Sequence, residues 1–509
     1  MAGSNTLFPQ LKYQVQEQIY DAKSMLDENN FYHQRQGQPS ELTKSITYIL
    51  GDYTKNYPIS SMTLGGVGYN NNASAVELDD IQYTYPVMGR RNKASVIYST
   101  EYTGGDTPGR GHSRFYATFS DNWIKRYYII QSENGTQAYV HGDPEPVAGG
   151  YRYELQLDPA AIGDSCPLAD LNPGTRWIEL FTAVAESESR STESKMVMPG
   201  LFKNQMGFMR AGMSWAGNSA NKMMRIKVTM DGKETDMWMD YAMWQFEERW
   251  MEECEHLYWY NRYNRAADGS IPLKDMLTGK VIPRGSGILE QITNKSTYSQ
   301  LTYDTLVNKV GDALFGQADT GNMNISLFTG TGGMREFDRA MQAAGAQKLG
   351  PLGAGNVADK FITGTGYNLA LGGYFNTLYH IDGYTISVKL NPVYNIGRVA
   401  QASPLHPKTG LPLESYRMTF LDTSDIDGQP NIRHVAQKGR SYIDGVVKGL
   451  TPMPKSLDIL LGNSGGAASK DLSTVQDKSE YTRMKSAGIQ IMRANRCFDL
   501  QCVAGINGQ

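Results

Sequence analysis

The spacing of apolar residues divides the chain into a helical start, a long β-rich stretch and a mixed remainder. Apolar residues recur at helical spacing from Leu11 to Leu26, which predicts an amphipathic helix. From about residue 60 to 235, short alternating segments end at turn residues, the pattern of half-buried strands. Strands are predicted within the segments 123–131, 136–143, 151–158 and 176–186.

Residues 237–260, MWMDYAMWQFEERWMEECEHLYWY, hold four of the seven Trp. Thr235 is a suitable N-cap and Gly269 a suitable stop, so the pattern predicts a helix of about 30 residues, roughly 45 Å long. Because large aromatic side chains left in water form a sticky surface, we expect this helix to be covered on two sides, by its own domain and by a loop or a second subunit. One apolar stripe comprises Met239, Met243, Phe246, Trp250, Cys254 and Leu257, whereas Trp238, Tyr241, Trp244 and Trp259 lie on faces shared with charged residues.

After this helix, strand and helix patterns alternate as in an α/β lobe. Thr302 is the predicted N-cap of a helix whose apolar face runs to Leu314 and which stops at Gly316. A strand over 324–330 leads into a helix that is predicted to end at Gly345. Further strands are predicted over 384–395, 416–424, 456–462 and 487–503.

Composition limits the class of protein. A chain of 509 residues is too long for one ordinary hydrophobic core and predicts two to four lobes. A formal net charge of −3 argues against a protein that holds nucleic acid by releasing counterions. Four Cys in this length form no disulfide framework, which indicates a reducing compartment. The sequence contains no apolar run of about 18 residues and no visible signal peptide, so no membrane association is expected.

A glycine-rich turn is the most suggestive chemical motif. The strand that ends near Thr329 passes through Gly330, Gly332 and Gly333 into a helix, as phosphate-binding turns do. The segment lacks the Lys of a P-loop and the G-x-G-x-x-G spacing of a dinucleotide site. We therefore favour a tight strand-to-helix turn, and nucleotide binding at the Gly330 turn remains the alternative.

Other candidate sites are weaker. Glu252 and His256 lie one helical turn apart near Cys254, but two ligands do not close a metal site. Cys497 and Cys502 have neither zinc nor redox spacing. The seven His match no nucleophile or acid–base motif. We predict no catalytic, cofactor-binding or metal site, and a protein that is not an enzyme.

The order of elements resembles the Johnson fold of tailed-phage and herpesvirus capsid proteins, an α+β fold. An N-terminal arm, an extended E-loop, a long spine helix and an axial domain follow each other in that fold. The stretch ASAVELDDIQYTYPVMGRRNKA, the Trp-rich helix and SAGIQIMRANRCFDLQCV are similar to major capsid proteins of crAss-like phages. The resemblance spans the whole chain and carries over no individual functional residue.

The resemblance implies a division into lobes. The segment before the spine helix is long for an E-loop alone, and its strand density predicts a β-rich insertion. The expected division is an N-terminal arm over 1–50, the start of the peripheral domain over 51–99, the β-rich inserted subdomain over 100–170, the extended E-loop over 171–234, the spine helix over 235–268, the axial α/β domain with returning peripheral segments over 269–480, and a C-terminal peripheral strand over 481–509.

The function implied by the resemblance is structural. Such a protein self-assembles as hexamers and pentamers into an icosahedral shell around the double-stranded DNA of a tailed phage, in the cytoplasm of its bacterial host. The expected partners are other copies of the chain, a portal, auxiliary or head-fibre proteins and, without sequence specificity, packaged DNA. Two other readings are open: a soluble cytosolic enzyme with a nucleotide at the Gly330 turn, or another self-assembling virion protein such as a tail component.

Overall fold

A computed structural model of the chain describes thirteen stretches of the sequence. The predicted N-terminal arm, 1–50, lies outside the described residues, as do Gly316 and the strand predicted over 456–462. The described residues are 59, 76–88, 92–158, 161–186, 196, 198–217, 223–230, 233–314, 324–348, 377–379, 385–426, 428–451 and 473–503.

The chain forms two compact units. The inserted unit is Thr84–Phe202, and the main unit consists of Met1–Tyr83 and Lys203–Gln509. The boundaries fall inside β2 (Gln82–Val87) and β10 (Gly200–Gln205), which form a two-stranded sheet. The predicted subdomain over 100–170 lies within the inserted unit, which also takes in the first part of the predicted E-loop.

Among the described residues of the inserted unit, seven strands form one antiparallel sheet, and six of them close into a barrel. The sheet order is β4-β3-β9-β5-β6-β8-β7, and an additional pairing of β4 with β8 closes the ring. Closure leaves no free edge among these six strands. The strands are β3 (Ser95–Ser99), β4 (Arg114–Phe119), β5 (Tyr128–Ser132), β6 (Gln137–Val140), β7 (Glu145–Val147), β8 (Gly150–Leu157) and β9 (Arg176–Thr182), with 3-10 turns at Arg110–His112 and Leu168–Leu171.

Inward-facing side chains from alternate positions of the strands fill this barrel. Phe115, Ala117 and Phe119 of β4 all point into a core that also holds Tyr153 and Trp177. The four strands predicted from alternation in this stretch are confirmed as β5, β6, β8 and β9.

A five-stranded sheet forms one half of the main unit around a long central strand. β11 pairs with one edge of β23, from Gly207 opposite Ala487 to Ala216 opposite Lys478. β21 and β22 pair with successive parts of the other edge of β23, both antiparallel to it. β1 pairs with β21 in parallel. The strands are β1 (Val76–Leu78), β11 (Gly207–Ala216), β21 (Ile432–Gln437), β22 (Ile443–Val447) and β23 (Lys478–Ile491).

A six-stranded mixed sheet forms the second half, in the order β14-β24-β18-β15-β17-β16. Its strands are β14 (Asn294–Tyr298), β15 (Asn324–Thr329), β16 (Thr377–Tyr379), β17 (Thr385–Leu390), β18 (Met418–Asp422) and β24 (Phe498–Cys502). Two small ribbons join β12 (Met223–Met230) with β13 (Lys233–Met237), and β19 (Asp425–Ile426) with β20 (Gln429–Pro430).

The helices of the main unit follow the predicted order. Thr302 is confirmed as an N-cap, because its Oγ1 accepts a hydrogen bond of 3.2 Å from the backbone N–H of Thr305. The predicted stop at Gly345 is wrong, since that helix continues to Lys348. The helices are α1 (Trp238–Tyr260), α2 (Ile288–Gln291), α3 (Tyr303–Leu314), α4 (Thr331–Lys348), α5 (Val393–Ile396) and α6 (Arg398–Ala402), with 3-10 turns at Leu413–Tyr416 and Ala494–Arg496.

Two further predictions need correction, although the α+β class is confirmed. Thr235 is not an N-cap, because it lies in β13 opposite Val228, and α1 is 23 residues long, about 35 Å. The single strand predicted over 487–503 is two strands, because the chain leaves the five-stranded sheet at Ile491 and enters the six-stranded sheet at Phe498.

Candidate functional site

The predicted apolar stripe of α1 is buried at three of its five described side chains, whereas Phe246 and Leu257 are half-buried. Met243, Trp250 and Cys254 are at most 8% exposed. Trp250 and Cys254 share a hydrophobic cluster with residues of β21, β23 and α2. This face of the helix is therefore fixed to the sheet of its own unit.

Trp259 shares its face with Glu255, as predicted, but this face lies inside the main unit. Trp259 is fully buried, with its ring 5.8 Å from that of Phe328 and 5.4 Å from that of Tyr394. Its indole Nε1–H donates to Glu255 Oε1 at 2.9 Å, which satisfies a polar group inside the core. The second side of the helix is thus covered by the main unit itself at this end.

A buried cation joins α1 to the five-stranded sheet. The side chain of Arg483 in β23 is fully buried and forms an ion pair with Glu247 of α1. Its Nε lies 2.9 Å from Asp444 Oδ1 of β22, and its Nη2 donates to the hydroxyl of Tyr481 at 2.6 Å. The guanidinium also stands over the ring of Tyr442, 4.9 Å from the centroid. Both carboxylates hold the pKa of Arg483 above its usual value, against the effect of burial.

The glycine turn is filled by protein atoms. The N–H of Thr331 donates to Asn395 Oδ1 at 2.8 Å, and the N–H of Gly332 donates to Ser415 Oγ at 2.9 Å. These are the first N–H groups of α4, which a bound phosphate would need. A Cβ on Gly330 would lie 2.6 Å from the carbonyl oxygen of Ser415. The glycines are therefore explained by close packing, as the sequence favoured.

Substituting Gly332 tests this explanation. A Cβ at this position would lie 2.7 Å from the ring of Tyr416, so Gly332→Ala is expected to lower the free energy of unfolding by about 1–3 kcal/mol. Gly311→Ala in α3 is the matched control, because its Cβ would enter open space and alanine favours a helix. Urea denaturation of both variants measures the difference, and equal stability of the two would contradict the packing argument.

The residues of the candidate site at Glu252, Cys254 and His256 take structural roles. His256 Nδ1 lies 2.8 Å from the carbonyl oxygen of Glu252, and its Nε2 accepts a hydrogen bond from the N–H of Arg398 at 3.2 Å. Cys254 is buried in the stripe described above. The imidazole thus links α1 to the start of α6, with both nitrogens occupied.

Among the described residues, no group of three or more His, Cys, Asp or Glu side chains could hold a metal ion. Within that same part of the chain, no helix combines the length and apolar character needed to cross a membrane.

Exposed apolar side chains are concentrated near the C-terminal end of the inserted unit. Five of them, on and after β9 and leading into β10, leave more than half of their surface in solvent. A stretch of this composition is typical of a surface that meets another protein. The five are Phe181, Val184, Met196, Met198 and Leu201.

Comparison with known proteins identifies a family. A family model described as Crassvirus major capsid protein matches residues 12–504, nearly the whole chain. No curated protein matches the sequence.

Solved structures give weaker likenesses. A chain from Gordonia phage Cozz is 8% identical at a TM-score of 0.31, with 64% of this chain and 78% of that chain covered. A chain from the capsid asymmetric unit of cyanophage Pam1 is also 8% identical at a TM-score of 0.31, with 64% and 83% covered. At these values the family match alone carries the assignment.

Proposed function

The chain belongs to the Crassvirus major capsid protein family, and from this membership we propose how its two units build a shell. As a major capsid protein it is a structural component of the virion, and copies of it form the capsid shell. Its α+β fold is the Johnson fold of tailed-phage capsid proteins. We propose that the shell is icosahedral, is built of hexamers and pentamers, and encloses double-stranded DNA.

The extent of the family match carries the proposal. Residues 12–504 include the inserted unit and both halves of the main unit, so the structural role applies to nearly the whole chain. Many modest heterologous contacts between copies can close such a shell.

The proposed roles of the elements follow their packing. α1 acts as the spine helix, since it is fixed on two sides in the core of the main unit. The β12–β13 ribbon pairs with no further strand among the described residues, and a lone two-stranded hairpin is marginally stable in water. We propose that this ribbon, as part of the E-loop, and the arm over 1–50 lie against neighbouring copies. The closed barrel of the inserted unit adds a contact surface of its own.

Further partners follow from the same role. A portal replaces one capsomer, and auxiliary or head-fibre proteins bind the outside of the shell. Packaged DNA touches the inner wall without sequence specificity. A net charge of −3 supports this view, because it gives the wall little attraction for phosphates.

Negative-stain electron microscopy of the purified full-length protein, with sizing in parallel, tests the proposal. Closed shells, or rings of five and six, are the expected result. Tubes would instead indicate a tail component. A protein that stays monomeric and whose melting temperature rises when ATP is added would contradict the proposal. It would favour an enzyme that binds a nucleotide.

A further inference from the structure

A hairpin between α1 and α2 presents an apolar tip. This tip hairpin, residues 273–282, contains an antiparallel bridge between Lys274 and Val281. The N–H of Asp275 donates to the carbonyl oxygen of Lys280 at 2.8 Å, and the N–H of Ile282 donates to that of Leu273 at 2.9 Å. The two arms are therefore held in register by backbone hydrogen bonds.

The turn at the tip is fixed as well. One carboxylate oxygen of Asp275 accepts hydrogen bonds from the N–H and the hydroxyl of Thr278, at 2.8 and 2.5 Å. The N–H of Gly279 donates to the carbonyl oxygen of Asp275 at 2.8 Å, and Gly279 takes a left-handed φ of 66°. Because the turn is already ordered, docking its side chains on a partner costs little backbone entropy.

The side chains on this fixed turn are unusual. Met276 is 100% exposed and Leu277 is 95% exposed, and Val281 behind them is 52% exposed. Turn positions normally carry polar or small residues. Two large apolar side chains held entirely in water on a rigid turn indicate a contact that the isolated chain does not make.

We propose that Met276 and Leu277 pack against a second copy of this chain when the shell forms. The inference rests on the proposed function, because a shell built of copies surrounds each subunit with others. Lys274 and Lys280 flank the turn, but the two side chains at its point are apolar, and a protein surface buries such side chains whereas DNA phosphates do not. A protruding tip on one copy that docks on a different surface of the next is the heterologous contact that a closed shell requires.

Cysteine labelling tests the inference directly. All four native cysteines, Cys166, Cys254, Cys497 and Cys502, are buried, so Leu277→Cys places one accessible thiol at the tip. A maleimide is expected to label this thiol rapidly in dissociated subunits and at least about tenfold more slowly in assembled particles. Equal rates in both states overturn the inference while the proposed function stands. Failure of the wild-type chain to form particles overturns both.

A double substitution measures the strength of the contact. Met276→Ser with Leu277→Ser is expected to leave the melting temperature unchanged but to raise the protein concentration needed for assembly at least about tenfold, since burial of these two side chains drives the contact. Thr278→Ser, which keeps the hydroxyl that binds Asp275 and leaves Met276 and Leu277 in place, is the control and should assemble as the wild type does.

Photo-crosslinking identifies the occupant. A benzophenone attached to Leu277→Cys is expected to give an adduct of two copies of the chain in assembled particles. Assembly of the double variant at the wild-type concentration, or particles that yield no such adduct, would overturn the inference.

Discussion

Replacing Arg483 by Met is expected to lower the free energy of unfolding by about 3–5 kcal/mol. Among the described residues of β23, Arg483 is the only one that forms ion pairs with Glu247 and Asp444. The substitution therefore leaves these two mostly buried carboxylates near each other without their shared partner. The cost arises less from the lost ion pairs than from desolvated carboxylates that have no compensating cation.

Urea denaturation, monitored by tryptophan fluorescence, measures this loss. Arg339→Met is the matched control, because Arg339 is 67% exposed and pairs with Glu336 at the surface, where an ion pair contributes at most about 1 kcal/mol. Arg483→Lys should fall between the two, since an ammonium keeps the charge but cannot bridge both carboxylates as the planar guanidinium does. Similar losses for Arg483→Met and Arg339→Met would show that the buried network has no special role.

The alternation of β23 explains why the sequence could have revealed this cation. Ile489 and Ile491 face the core, and counting back in steps of two places Arg483 and Lys485 on the same buried face. An inward charge in a strand requires a partner, so the pattern alone points to acidic residues elsewhere in the chain. The sequence interpretation stopped short of this step because the strand that it predicted, over 487–503, begins after both of these basic residues.

Local signals succeeded where the determining contacts are near in sequence. The N-cap at Thr302 and four of the six barrel strands depend on neighbours within one element, and these were predicted correctly. Pairing between strands that are distant in the chain could not be predicted from the sequence. Thr235 has the sequence features of an N-cap, but its pairing with Val228 of β12 makes it a strand residue. The closure of the barrel depends on the pairing of β4 with β8, which are about 40 residues apart in the chain. The closed glycine turn likewise depends on Asn395 and Ser415, far from Gly330 in the chain.

A second group on the buried face of the five-stranded sheet is expected to make stability depend on pH. His434 of β21 is 1% exposed, and neither of its ring nitrogens has a hydrogen-bond partner among the described residues. Its ring meets that of Tyr258 edge-on at 5.6 Å. Burial, reinforced by the positive charge of Lys485, lowers the pKa of His434 to about 3.

The sign of the effect follows from proton binding. In the unfolded chain this His has a pKa of about 6.5 and binds a proton below that pH, whereas in the folded chain it binds a proton only near pH 3. The stability contributed by neutral His434 is therefore complete above pH 6.5 and is lost as the pH falls, at about 1.4 kcal/mol per pH unit. Between pH 6.5 and 4.5 the wild type should lose about 2–3 kcal/mol more than His434→Leu, which has nothing to protonate.

Denaturation of both proteins across this pH range checks the prediction. At pH 7 the two should differ by little, because leucine replaces an imidazole that has no hydrogen bond to lose. His112→Asn removes an exposed imidazole at a residue with a left-handed φ of 57°, which asparagine tolerates, and should keep the wild-type pH dependence. Parallel curves for wild type and His434→Leu would mean that the folded chain stabilises the protonated imidazolium with a hydrogen-bond acceptor. Acid would then act on stability through the carboxylates instead.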